Sequence, residues 1–142
     1  MTPERIIREL GLKPHPEGGN YTEVYRSTEK VNGSRSACTA IYYLLQAGEV
    51  SHWHRIDADE VWHHYAGAPL ILSVSEDGST TRDQILGKSF ERGERAIAVA
   101  PRNVWQSART LGDWTLVGCT VSPGFEFSGF EMAAAEWEPG KD

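Results

Sequence analysis

Four of the five histidines, His52, His54, His63 and His64, fall within thirteen residues, and Glu60 stands among them. On a β-strand alternate side chains share a face, so His52 and His54 point the same way. A short loop, residues 55–59, follows, and Glu60 opens the next strand. Trp62 and His64 share its face, while Val61, His63 and Tyr65 face the other way. Two imidazoles and a carboxylate on adjacent antiparallel strands can converge on one point. One chemistry this allows is a two-histidine, one-carboxylate metal site of His52, His54 and Glu60. Such a site holds Fe, Mn, Ni or Zn and leaves positions open for Gln106, water or substrate. The other is proton transfer without metal. Here His54 acts as base, Glu60 orients it, His64 joins them, and Tyr43 or Tyr65 returns the proton. No cofactor is required by the sequence; a divalent metal is the one it accommodates.

Around this cluster stand groups suited to holding a small ligand. Trp62 and Trp105 offer flat apolar contact, Gln106 offers a directional amide, and Glu17 and Tyr21 are placed at a cavity mouth. His15 lies in the turn-prone run PHPEGG (residues 14–19) and reads as a loop determinant. Gly18-Gly19 lacks the strand-to-helix context of a phosphate cradle and reads as backbone geometry.

The elements that must position these residues are mostly strands. One short helix is expected at about residues 3–11, with Thr2 as cap, Pro3 in the first turn and Gly11 as stop. After it, segments of four to eight residues rich in Val, Ile, Tyr, Trp and Thr alternate with Gly, Pro, Asp and Asn. Strands are expected near YTEVYRS, CTAIYYLL, SHWHR, EVWHHYA, LILSVSE, TRDQILG, AIAVA, VWQSAR, TLVGCTV and FSGFEMA. Closely spaced short strands without intervening helices argue for an all-β sandwich or barrel. The tail at about 138–142 is polar and is expected to fray.

The 142 residues make one domain, and 39% hydrophobic with 24% charged residues is a globular composition. A formal net charge of -6 without a basic run weighs against nucleic acid. No stretch reaches the length of a membrane-spanning helix, and the N-terminal MTPERIIREL lacks the features of a signal peptide. Cys38 and Cys119 sit in apolar, strand-like surroundings and are expected as reduced thiols. A cytoplasmic protein is expected.

The run Gly48, His52, His54, Glu60, Gly67 resembles the first cupin motif, although five residues separate His54 from Glu60 and Gly48 sits close to the histidines. Gly93, Pro101, Asn103 and Gln106 resemble the second motif, with Gln106 where a third histidine ligand would stand. LGLKPHPEGGNYTEVYRS, TAIYYLL, HRIDADEVWHHYAGAPL, APRNVWQSAR and SPGFEFSGFEMA are similar, in order, to the blocks of the cupin-5 domain family. The resemblance implies a double-stranded β-helix, a jelly-roll barrel, with a ligand-sized cavity and a homodimer. The function expected is small-molecule binding inside the barrel, as a metal-independent epimerase or isomerase of a sugar-like or carbonyl substrate. The alternatives are a metal-dependent cupin oxygenase or isomerase, and a non-catalytic binding or structural dimer.

Overall fold

Thr2 accepts a hydrogen bond from the Arg5 amide (3.2 Å), Pro3 follows it, and Gly11 ends the turn in the left-handed region at φ 68°. The helix these signals enclose, α1, spans Pro3–Leu10 in the computed structural model, which describes residues 1–141. Its apolar stripe, with Ile6 buried, packs with Leu12 on Leu44 and Leu116, against the outside of a sheet.

Thirteen strands follow: β1 (Lys13–Pro14), β2 (Asn20–Arg26), β3 (Lys30–Val31), β4 (Arg35–Ser36), β5 (Thr39–Gln46), β6 (Ser51–Ile56), β7 (Asp59–Gly67), β8 (Leu70–Ser75), β9 (Arg82–Leu86), β10 (Ile97–Ala100), β11 (Trp105–Thr110), β12 (Trp114–Ser122) and β13 (Phe130–Met132). One sheet has the order β1-β2-β5-β12-β7-β10, the other β13-β6-β11-β8-β9, and β3 and β4 form a small ribbon. All pairings between these strands are antiparallel. The two large sheets face each other as a jelly-roll barrel. Every strand expected from the sequence is present. No helix among the described residues is long and apolar enough to cross a membrane.

The interior is divided. One half is filled by Leu45, Leu70, Leu72, Leu86 and Val117, all fully buried. The other half, lined by alternate residues of β5, β6, β7 and β12, is hollow. Both cysteines are free thiols, Cys119 buried and Cys38 half-buried. Ahead of the tail, Trp137 packs against Trp53 and Trp105, and within it the Gly140 amide bonds to the Gly78 carbonyl at 2.9 Å. Asp142 lies outside the described residues.

Candidate functional site: a buried acid–base cluster in the barrel

A defect in one strand decides which side chains reach the interior. On β6, His54 pairs with Gln106 of β11, but the next pair is Ser51 with Ala108, so the strand carries a bulge between them. The bulge breaks the period-two alternation. Ser51, His54 and Ile56 are buried; His52 and Trp53 are less so. His52 is turned to the outside, where its Nε2 meets the Ala134 carbonyl at 2.8 Å. The expectation that His52 and His54 share a face is therefore corrected. With it falls the convergence of His52, His54 and Glu60 on one point, and no group of three such side chains among the described residues is placed to hold a metal ion.

The partner that His54 does find comes from the loop before β2. The main chain of Glu17 bonds to the His52 amide (2.8 Å), which presses the loop against β6. Gly18 makes this possible: at φ 113° it passes so close to the Val50 carbonyl that a Cβ would lie 2.1 Å from its oxygen. The Glu17 side chain then enters the barrel. Its Oε1 accepts from the Ser51 hydroxyl at 2.9 Å, and its Oε2 lies 3.0 Å from His54 Nε2. The other His54 nitrogen, Nδ1, lies 2.7 Å from the His52 carbonyl, an acceptor only, so Nδ1 carries a proton. One further proton must lie between Nε2 and Oε2. Burial pushes the Glu17 carboxyl up, with His15 and the Ser51 and Tyr43 hydroxyls opposing. Burial pulls His54 down, with Glu60 the main opposition. Both shifts favour a neutral pair, Glu17 protonated and donating to His54. The His54 ring is stacked on Phe130, with centroids 5.4 Å apart.

Glu60 is held differently. The Trp62 indole N–H donates to Gln106 Oε1 (3.0 Å), which fixes the amide, and Gln106 Nε2 donates to Glu60 Oε1 (3.0 Å). Glu60 Oε2 accepts from no nitrogen or oxygen among the described residues, yet it is not sealed away. Burial, the largest cause, pushes the Glu60 carboxyl up to about 7, and Glu17 adds to the rise whenever its own carboxyl is ionised. The neighbouring Cys119 thiol is pushed up as well, by burial first, so it stays a thiol rather than a nucleophile.

These groups line one cavity of about 360 Å³. Glu17, Tyr43, His54, Glu60 and Cys119 stand in its polar lining together with His15, Lys13 and Arg26, and Tyr21, Phe125, Phe127 and Phe130 supply flat apolar surface. The Tyr43 hydroxyl donates to the Gly18 carbonyl and stands within hydrogen-bonding reach of Glu17, and burial pushes its pKa well up. Trp62 and Gln106 lie behind the wall and act on Glu60 rather than on the space itself.

Two further expectations are corrected. His64 shares the inward face of β7 with Glu60 but stands four residues further along, about 13 Å at strand rise. It is buried toward the filled half, with Nε2 on the Ala68 carbonyl at 3.0 Å, and does not line the cavity. Trp105 precedes the inward Gln106, so alternation turns it outward, where Arg55 lies 4.4 Å from its ring. Sequence reasoning passed over Ser51 and Phe130 and read His15 as a loop determinant only. Nothing in the pattern signals the bulge that turns Ser51 inward. The PHPEGG run does mark a tight loop that must pack on something.

The family model described as Cupin superfamily (DUF985) matches residues 4–133. No curated protein matches the sequence. Among solved structures, a hypothetical protein from Leishmania major is 35% identical with a TM-score of 0.88, the match covering 94% of this chain and 88% of that one. A protein from Shewanella oneidensis is 37% identical with a TM-score of 0.91, covering 94% and 85%. Oxalate decarboxylase from Bacillus subtilis is similar in fold alone, at 12% identity and a TM-score of 0.63, covering 84% of this chain and 29% of that one.

Proposed function

Since the chain belongs to the cupin superfamily, in the family DUF985, a fold that hosts many chemistries, its function must be argued from the site. We propose that it is a small-molecule-binding cupin that moves a proton next to a carbonyl without metal, as an epimerase or isomerase of a sugar-like or carbonyl compound. The observation that carries this reading is Glu60: it lines the cavity, it is anchored by the Gln106 amide with only the weakly donating Cys119 thiol beside it, and burial pushes its pKa up to about 7. A general base works best with a pKa near the working pH.

The roles differ from those the sequence favoured. Both nitrogens of His54 are engaged, so the base is Glu60, and the Glu17–His54 pair supplies or accepts the second proton. A cavity of about 360 Å³ with aromatic walls suits a compact, partly planar ligand.

The test is proton exchange. The protein is incubated in deuterated water with aldoses, ketoses and 2-oxo acids, and loss of the C–H signal next to the carbonyl is followed by NMR. The wild type is expected to exchange at least one compound, faster as pH rises through about 7, because Glu60 is a base only when ionised. Glu60→Gln is expected to lose roughly 100-fold or more. A compound that raises the melting temperature through this cavity but keeps its C–H bond would leave a binding protein and remove the catalytic reading.

We propose in addition that the barrel pairs with a second copy. The supporting observation is the edge strand β10, whose outward Ile97 and Val99 are 58% and 41% exposed, beside Tyr65 at 47%. An open apolar edge is ordinarily covered.

A further inference from the structure

His15 is the remaining imidazole of the cavity wall, and its tautomer is fixed by its own loop. The Glu17 amide donates to His15 Nδ1 at 3.1 Å, so Nδ1 is an acceptor and the ring proton of the neutral side chain sits on Nε2. No acceptor for Nε2 exists among the described residues, and that atom is not sealed off. The ring is held edge-on to Tyr21 (4.5 Å between centroids) and tilted against Tyr43 (5.6 Å) and Phe130 (6.4 Å). All three of these residues line the cavity, as His15 itself does, so the space its Nε2 reaches is the ligand's space. A donor that is buried, rigid and without a protein acceptor is what a developing oxyanion requires.

We infer that His15 donates its Nε2–H to the carbonyl oxygen of the substrate and stabilises the enolate formed there. The inference rests on the proton-transfer reading and narrows the substrate to a compound with a C–H bond next to a carbonyl. In the step, the carboxylate of Glu60 takes the proton. The C–H electron pair becomes the C=C bond of the enolate, and the carbonyl π pair moves to oxygen, where it accepts the hydrogen bond from His15. Return of a proton to carbon, from Glu60 or from the opposite Glu17–His54 side, restores the carbonyl with retained or inverted configuration. The imidazole donates as a neutral group: burial pulls its pKa down, Glu17 opposing and His54 assisting. A neutral imidazole is the better match to an enolate, because it does not hand its proton over during the step.

The discriminating variant is His15→Asn. An Asn side chain at this position accepts the amide two residues on, as His15 Nδ1 does, and so keeps the turn. It lacks the reach of Nε2. His15→Asn is expected to melt within a few degrees of the wild type and to exchange roughly 100-fold more slowly, with the loss in kcat and little change in KM. Full exchange by this variant would make His15 a turn residue and overturn the inference while leaving the proton-transfer reading intact.

A second measurement is independent of catalysis. In protein labelled with ¹⁵N-histidine, His15 is expected as the Nε2–H tautomer. Acetohydroxamate, a planar anion with the geometry of an enediolate, is expected to shift that proton downfield in the wild type and in Glu60→Gln alike. Such a shift without any substrate exchange by the wild type would remove the proton-transfer reading and keep His15 as the ligand's donor. An Nδ1–H tautomer, or acetohydroxamate raising the melting temperature while the His15 signal stays still, would overturn the inference.

Discussion

Glu60 links folding to pH with a sign opposite to that of a salt-bridged carboxylate. Its pKa rises from 4.5 to about 7 on folding, so between these values the folded chain binds more protons than the unfolded one. Stability is then full below about 4.5, falls as pH rises to 7, and is level above; a shift of this size is worth about 3 kcal/mol. Urea melts of wild type and Glu60→Gln across this range are expected to diverge by that amount, the variant being the flatter. Parallel curves would show that Glu60 ionises normally in the fold. Trp62 governs the same carboxylate from behind. Trp62→Phe keeps the ring packed on Tyr43 but leaves Gln106 Oε1 without its donor. The expected cost is about 1–3 kcal/mol, measured by denaturant unfolding, with a weaker hold on Glu60.

At the scale of elements, one bulge and one loop build the site. His52, expected from the sequence only as a metal ligand beside His54, makes one exposed hydrogen bond. His52→Ala is expected to change stability by no more than about 0.5 kcal/mol and to leave exchange within twofold of the wild type. Gly18→Ala, which adds no ionisable group, forces the loop off β6 and withdraws the neighbouring Glu17 from His54. A lower melting temperature together with slowed exchange is expected there, and a variant with normal values would show that the loop is not what positions Glu17. The same two features mark where sequence reading stops. The strands and the pocket end of β7 were legible, because hydrophobic alternation and turn residues follow from the pleat. The bulge was not, since two adjacent outward residues look like any others until the partner strand is known. Glu17 was visible as a residue at a cavity mouth. Its true partner stands far along the chain, and no local period connects them.

At the scale of the molecule, the barrel divides stability from chemistry. The aliphatic half, with Leu70, Leu72 and Leu86 fully buried, carries the packing, and the hollow half carries the ionisable groups. His64 was expected with the second group and belongs to the first, because a shared face of a strand is not a shared place along it. The outer surface adds one expectation. Sedimentation of the purified protein is expected to give a dimer, and Ile97→Lys with Val99→Lys to give a monomer of unchanged fold. A monomeric wild type would remove the pairing proposal and leave the interior untouched.

The bulge in β6 also rewrites the correspondence between this chain and any barrel whose strand runs straight. Measured in space rather than along the chain, the inward neighbour of His54 is Ser51. An engineer wishing to install a metal here would gain nothing by altering position 52. The substitution to make is Ser51→His, which would place a second imidazole beside His54 and next to the Glu17 carboxyl that now bonds to both positions.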